Sequence, residues 1–233
     1  MSTIETTAGT LNLDDLGLRG VNRTLQQAAA GEGFSLANPN GLHAIAAGLR
    51  AEVAVDVLGH AGYYCAGMNQ RATVRVHGNA GVGLAENMMS GRVDVLGSAG
   101  QAAGATARGG LLVIHGDAAA RCAISLKGAH VVVRGSVGHA SAFMAQTGRL
   151  VVLGDAGPGL GDSIYETRVY VRGTVGELGA DCVEKPMRDE HLDELAALLA
   201  DAGVTDVSAS DFRRYGSARQ LYHWQHPDGA EDR

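Results

Sequence analysis

Proline is scarce in this 233-residue sequence, at 4 residues, and aromatic side chains make up only 4% of it. No apolar run approaches the roughly 18 residues that a membrane-crossing helix needs, and no charged-then-apolar leader opens the chain. An excess of positive charge is missing too: 19 Lys and Arg against 25 Asp and Glu give a net charge of −6. That balance leaves no electrostatic footprint for nucleic acid or for an anionic membrane, so neither is expected as a partner. A cytoplasmic location is the default expectation. The hydrophobic share of 45% is enough for a sizeable core. Glycine is abundant, at 34 residues, about twice the average share. Much glycine with much valine and alanine and little proline suggests short strands joined by many tight turns, and so an internal repeat.

The repeat is anchored on Gly59, Gly78, Gly97, Gly116, Gly135, Gly154 and Gly173, each step being 19 residues. Four and two residues before the anchors lie Val55 and Val57, Val74 and Val76, Val93 and Val95, Leu112 and Ile114, Val131 and Val133, Leu150 and Val152, Val169 and Val171. All are aliphatic, and their alternation marks a strand with one buried face. Seven residues after the anchors come Ala66, Ala85, Gly104, Ala123, Ala142, Gly161 and Ala180, a column that admits only small side chains. Directly after them stand His60, Asn79, Ser98, Asp117, Ser136, Asp155 and Thr174, mostly residues that hydrogen-bond their own turn backbone.

A 19-residue unit is too short for a propeller blade and cannot bury its own apolar face. Stacked in register about 4.8 Å apart, such units form continuous ladders. The expected fold is an all-β solenoid: a right-handed parallel β-helix of seven coils over residues 51–185. Residues 1–50 are expected to form an N-terminal cap, with a helix from Asn22 to Ala30 closed by Gly31. Residues 186–233 are expected to form a helical C-terminal cap and tail, with Leu192, Leu195, Leu198 and Leu199 on one helix face closed by Gly203 and a further helix around Phe212 to Trp224.

Once each residue has a column and a coil, chemical motifs can be tested by geometry. Cys65 and Cys122 share a column but stand three coils apart, about 14 Å, beyond the roughly 7 Å reach of a disulfide. Cys182 lies in another column. His77 and His115 are two coils apart, about 10 Å, too far to share one zinc ion. His223 and His226 supply only half a metal site. The run Gly157-Pro158-Gly159-Leu160-Gly161 lacks the helix that a phosphate-cradling loop requires, and reads as a coil corner. Asp162 and Asp181 are the best acid pair for an independent enzyme, though no basic cluster surrounds them. No catalytic, cofactor or metal site is expected in this chain.

Three residues before the anchors an outward column runs Asp56, Arg75, Asp94, Val113, Val132, Val151, Tyr170. Its first three members can form a ladder of opposite charges across the strands. Its last four make an apolar outer stripe that something must cover, either the chain's own C-terminal helix or a partner subunit. Val113, Val132, Val151 and Tyr170 are therefore candidate interface residues, followed by Tyr63, Tyr64, Met68 and Met88.

The stretches Asn38 to His43, Gly62 to Gln70, Gly83 to Gly91 and Gly109 to Asp117 closely resemble the stand-alone relatives of the C-terminal Gly-x-x-Gly-x-x-x-Gly domain of glutamate synthase large subunits. Within that family the sequence is similar to the β-helix subunit of N-methylglutamate synthase (methylamine–glutamate N-methyltransferase), from about Arg19 to Cys182. The resemblance implies a non-catalytic scaffold subunit in a complex with an amidotransferase-like subunit and a glutamate-synthase-like subunit that carries FMN and an iron–sulfur cluster. It implies no cofactor in this chain. A related β-helix occurs in formylmethanofuran dehydrogenase and bacterial formyl-transfer complexes, which is the alternative; the runs Met68 to Gln70 and Glu86 to Met89 fit it less well.

Overall fold

In the computed structural model, which describes residues 9–219, the chain is a parallel β-solenoid of about seven turns with two short α-helices. The elements are β1 (Thr10–Asn12), α1 (Leu13–Gln27), β2 (Gly33–Ala37), β3 (Ala54–Val57), β4 (Thr73–Val76), β5 (Arg92–Val95), β6 (Leu111–Ile114), β7 (Lys127–Val133), β8 (Thr147–Val152) and β9 (Arg168–Val171). They are followed by β10 (Cys182–Lys185), α2 (Asp189–Asp201) and β11 (Arg213–Ser217). All strands belong to one sheet, parallel from β1 to β9 and closed by the antiparallel β11 and β10. Val76 pairs with Val95 on adjacent parallel strands, and every aliphatic pair from Val55 to Val171 points inward with 1% exposure or less.

The anchor glycines are required by close approach. A Cβ on Gly116 would sit 2.4 Å from Ser98 Oγ, one on Gly135 2.2 Å from Asp117 Oδ1, and one on Gly173 2.4 Å from Asp155 Oδ1. The side chain filling that space belongs to the turn residue of the coil below. These turn residues do not bond their own turns as expected. Each accepts from the backbone N–H of its equivalent one coil on: His60 from Asn79 (2.9 Å), Asn79 from Ser98 (2.9 Å), Ser98 from Asp117 (3.1 Å), Asp117 from Ser136 (2.8 Å), Ser136 from Asp155 (3.0 Å) and Asp155 from Thr174 (2.7 Å). Stacking brings a neighbouring N–H within reach of each side chain, and the turn column becomes a ladder that ties coil to coil.

The opposite corner is built from left-handed residues at alternate positions, such as Tyr64, Ala66 and Met68, or Arg121, Ala123 and Ser125, with φ between 51° and 60°. Outside glycine this conformation is uncommon and costs about 1–2 kcal/mol per residue. Here each such N–H is used: Ala66 donates to Ile45 O on the coil before, while Tyr64 and Met68 donate to Val82 O and Glu86 O on the coil after. The middle residue of each triplet points into the core, and Ala66, Ala85, Ala123 and Ala142 are fully buried. The column is small for two reasons, its backbone and its lack of room.

The stack reaches back beyond residue 51. Strand β2 pairs in parallel with β3, Phe34 opposite Val55 and Leu36 opposite Val57, and β1 pairs with β2. Phe34 and Val55 are 21 positions apart, so a search at 19 residues passes over this rung. Helix α1 begins at Leu13 rather than near Asn22, because Asn12 Oδ1 accepts from Asp14 N to start it; Gly17, at φ 63°, kinks it. The helix stands in for a missing coil: Asn22 donates to Ala44 O (2.8 Å) and accepts from Ala46 N (2.9 Å), and Gln26 donates to Ala47 O (2.9 Å). These bonds satisfy backbone groups that an open edge would leave bare.

At the other end, the helix expected around Phe212 to Trp224 is a strand as far as Ser217, and residues 220–224 lie outside the described residues. Tyr215 alternates with Arg214 and Gly216 and faces inward, 2% exposed, so that β11 fits between β9 and β10. Helix α2 carries most of the expected apolar face: Leu195, Leu198 and Leu199 are buried, Leu192 is only half-buried while its neighbour His191 is buried, and Gly203 stands at φ 72° beyond its end. It lies along the flank of the solenoid.

Candidate functional site

The outward column is in register from Asp56 through Arg75, Asp94, Val113, Val132 and Val151 to Tyr170. Its two halves have different fates. Val113, Val132, Val151 and Tyr170 have no exposed surface and pack with Leu195, Leu198, Leu199, Ala202, Val204 and Phe212 as a second core. The apolar stripe is therefore covered by the chain's own α2 and the segment behind it, and these four candidate interface residues are not available to a partner. Their outward direction was right; an internal helix of matching apolar face takes the place first.

Polar contacts latch α2 down. Glu194 accepts from Arg149 Nε and Nη2 (both 2.5 Å), from Arg168 Nη1 (2.8 Å) and from Tyr170 Oη (2.8 Å). Burial alone would raise the Glu194 carboxyl, but the bonds from Arg149 and Tyr170 and the two guanidinium charges together hold it below the usual carboxylate range. Arg92 donates to the carbonyl of Asp201 at the helix C-terminus (2.8 Å), and Arg134 reaches Asp206 (3.2 Å). A cation at a helix C-terminus is favourable.

Of the first half of the column only Arg75 is exposed, with Asp56 half-buried and Asp94 5% exposed, and the expected charge ladder is absent. Asp56 binds His77 Nε2 (2.6 Å) and Asp94 takes Arg92 through two bonds (2.7 and 3.0 Å). Arg75 is exposed and has no carboxylate partner among the described residues. Two positions along, the next outward column carries Leu58 and Leu96, 47% and 45% exposed, on either side of His77. The sequence reading missed these leucines because it stopped at the column three before the anchor; the column one before it runs Leu58, His77, Leu96, His115. A groove of about 460 Å³ borders this face, with Glu32, Glu52, Arg71, Ala54, Thr73 and Ser90 among its lining residues.

On the opposite corner, Tyr63 is 56% exposed and stacks on His43 with ring centres 4.5 Å apart, between the exposed Leu42 and Val82. Met68 is exposed as well, Tyr64 half-buried, and Met88 fully buried in the core, so Met88 is not an interface residue. Its inward direction follows from the turn that places Leu84, Ala85 and Met88 together in the interior.

The other sites tested by column fall as follows. Cys65, Cys122 and Cys182 are unpaired and buried, and burial pushes the thiols of Cys65 and Cys122 up to about 12 and that of Cys182 to about 11, which leaves them inert as nucleophiles. Asp162 and Asp181 do not share a column. The last step of the stack is 18 residues, Leu160 opposite Leu178, so Asp181 aligns with Ser163 instead. Asp162 Oδ1 accepts from Ser163 Oγ (2.8 Å), while Asp181 pairs with Arg219. Gly157 to Gly161 form a coil corner, with Gly159 and Gly161 left-handed. No group of three or more His, Cys, Asp or Glu side chains that could hold a metal occurs among the described residues, and His223 and His226 lie outside them.

Protein GlxC of Rhizobium meliloti (strain 1021) is 61% identical to this chain over 210 residues, which is 89% of the chain and 92% of the relative's own length. The chain belongs to the GlxC family. No model of a protein family and no solved structure matches it. The match to GlxC spans far more of the chain than the repeat alone. No helix among the described residues of this GlxC-family chain is long and apolar enough to cross a membrane.

Proposed function

We propose that this chain is the scaffold subunit of a glutamate-synthase-like complex, and within that class of N-methylglutamate synthase, which forms N-methyl-L-glutamate and ammonia from methylamine and L-glutamate. The amidotransferase-like chain and the FMN- and iron–sulfur-carrying chain of such a complex are the partners, and the cofactors reside there. The reading is supported by the motif-bearing stretches from Asn38 to Asp117. It is carried by one observation: the turn column from His60 to Thr174 bonds coil to coil, and Glu194 with Arg149, Arg168 and Tyr170 latches α2 to the stack. Catalysis requires nucleophile, base and charge-stabilising groups around one reacting atom. A stack whose polar groups join neighbouring coils is built to hold a shape.

The test is purification of the tagged chain from its native host, with identification of every co-purifying subunit and assay of N-methylglutamate formation. Recovery with an amidotransferase-like chain and an FMN-carrying chain, and turnover of methylamine with glutamate, is the expected result. Recovery alone, or with the subunits of a formyl-transfer complex, overturns it.

A further inference from the structure

The uncovered half of the outward sheet face continues the surface that α2 already occupies. Helix α2 runs along the stack, since Glu194 meets Arg149 and Arg168 on β8 and β9 while Asp201 meets Arg92 on β5. On β5 Arg92 covers Asp94, which is 5% exposed, and beyond it the same face goes on over β4 and β3 with Arg75 exposed. There Leu58 and Leu96 project from one column two coils apart, about 10 Å at the spacing of adjacent strands. That distance matches seven residues of an α-helix, about 10.5 Å. Between them and one column inward stands Arg75, an exposed cation whose two neighbours in the column are already engaged by His77 and Arg92. The groove lined by Ala54 and Thr73 gives this face a concave border.

We infer that this face, centred on Leu58, Arg75, His77 and Leu96, docks an amphipathic helix of a partner subunit, laid along the stack in line with α2. The helix presents apolar side chains seven residues apart to the two leucines and a carboxylate to Arg75. The inference rests on the reading of the chain as a subunit. The geometry is that of α2 repeated: apolar contacts across coils, and arginine on the sheet answered by an acid on the helix. An exposed leucine pair alone would not define a partner, but Arg75, exposed and without a carboxylate bond among the described residues, asks for an acid, because burying it unanswered is costly.

The experiment uses the complex as purified through the tagged chain. Leu58→Asp combined with Leu96→Asp should melt with the parent, since neither side chain enters the core, yet reduce the recovered partner about tenfold or more, as expected for removal of central interface anchors. Arg75→Glu should reduce it less, with the deficit shrinking as ionic strength rises. Thr73→p-benzoylphenylalanine supplies the direct readout: its photo-cross-link should map to a helical, acid-bearing segment of a partner subunit. A cross-link to a second copy of this chain, to its residues 1–8 or 220–233, or to a non-helical segment overturns the inference. So does full partner recovery by the double variant. If partners are retained by that variant, the docking face is wrong while the subunit reading stands; if the parent chain recovers no partner, both fall together.

Discussion

The two halves of the outward sheet face share one backbone and differ in what lies over them. Over β6 to β9 the column is Val113, Val132, Val151, Tyr170, without exposed surface, beneath Leu195, Leu198 and Leu199. Over β3 to β5 it is Asp56, Arg75, Asp94, with Arg75 open to solvent and Leu58 and Leu96 nearly half exposed beside it. Register and inner filling are continuous across the boundary, since Asp94 pairs with Val113 in the same ladder and the inward pairs on both sides are buried. A solenoid thus separates two tasks that a globular core combines. The inner columns set the fold coil by coil, and the outer columns are free to vary, covered by an internal helix in the late half.

The sharpest way to break this comparison is to charge each half in turn. Val132→Asp with Val151→Asp places two carboxylates beneath α2 with no cation prepared for them, and the loss should reach about 4 kcal/mol or more through buried charge and lost packing. In a chain of this size that lowers the melting temperature by roughly 10 °C. Leu58→Asp with Leu96→Asp should leave it within about 1–2 °C. Equal melting of the two double variants would mean that α2 does not hold the late half in solution.

The interior should not distinguish the halves at all. Ala85 under the early coils and Ala123 under the late ones are both fully buried and left-handed, at φ 54° and 59°. Changing either to Leu overfills a column with no spare room, at a cost of about 1–3 kcal/mol. Thermal or chaotrope unfolding of Ala85→Leu and Ala123→Leu should give equal losses within about 0.5 kcal/mol. A much smaller loss at Ala85 would show that the early coils are looser inside as well as barer outside.

How much of this was legible in the sequence depends on the range over which a signal acts. The period, the inward aliphatic pairs and the small columns were readable because each coil repeats them in the same place, so one chemical constraint is written seven times. The rung at β2 was lost because its coil is two residues longer, and Asp181 was misaligned because its coil is one shorter. The ladder from His60 to Thr174 was seen as a column of turn residues, but the backbone groups they bond were assigned within the coil, since sequence adjacency hides a neighbour 19 residues away. What covers the outer stripe was not readable at all. Val113 to Tyr170 fit an internal helix and a partner equally well by composition, and only the placement of α2, latched through Glu194, separates the two.

Acidification offers the finest comparison, because the late half carries a titratable group under α2. His130 lies on β7, half-buried, with its Nδ1 buried and without a hydrogen-bond partner among the described residues. Burial lowers its pKa, and the Arg149 charge lowers it further, against the weaker opposing pull of Glu194 and Asp201. The folded state therefore resists protonation more than the unfolded chain, whose histidine titrates near about 6.5. Its stabilising contribution is complete above that value and declines as the pH falls through it toward the lower folded pKa. His115, at the boundary of the two halves and lowered first by burial, adds in the same direction. Glu194 acts only in a more acidic range: its depressed pKa means that its contribution persists below the ordinary carboxylate value and is lost last. Between pH 7.5 and 5.5, amide protection relative to the intrinsic exchange rate at each pH should fall in α2 and stay nearly unchanged in β3 and β4, and His130→Gln should remove most of the pH dependence in α2. An equal loss of protection in both halves would assign the acid response to the stack as a whole and sever it from the helix that covers the late coils.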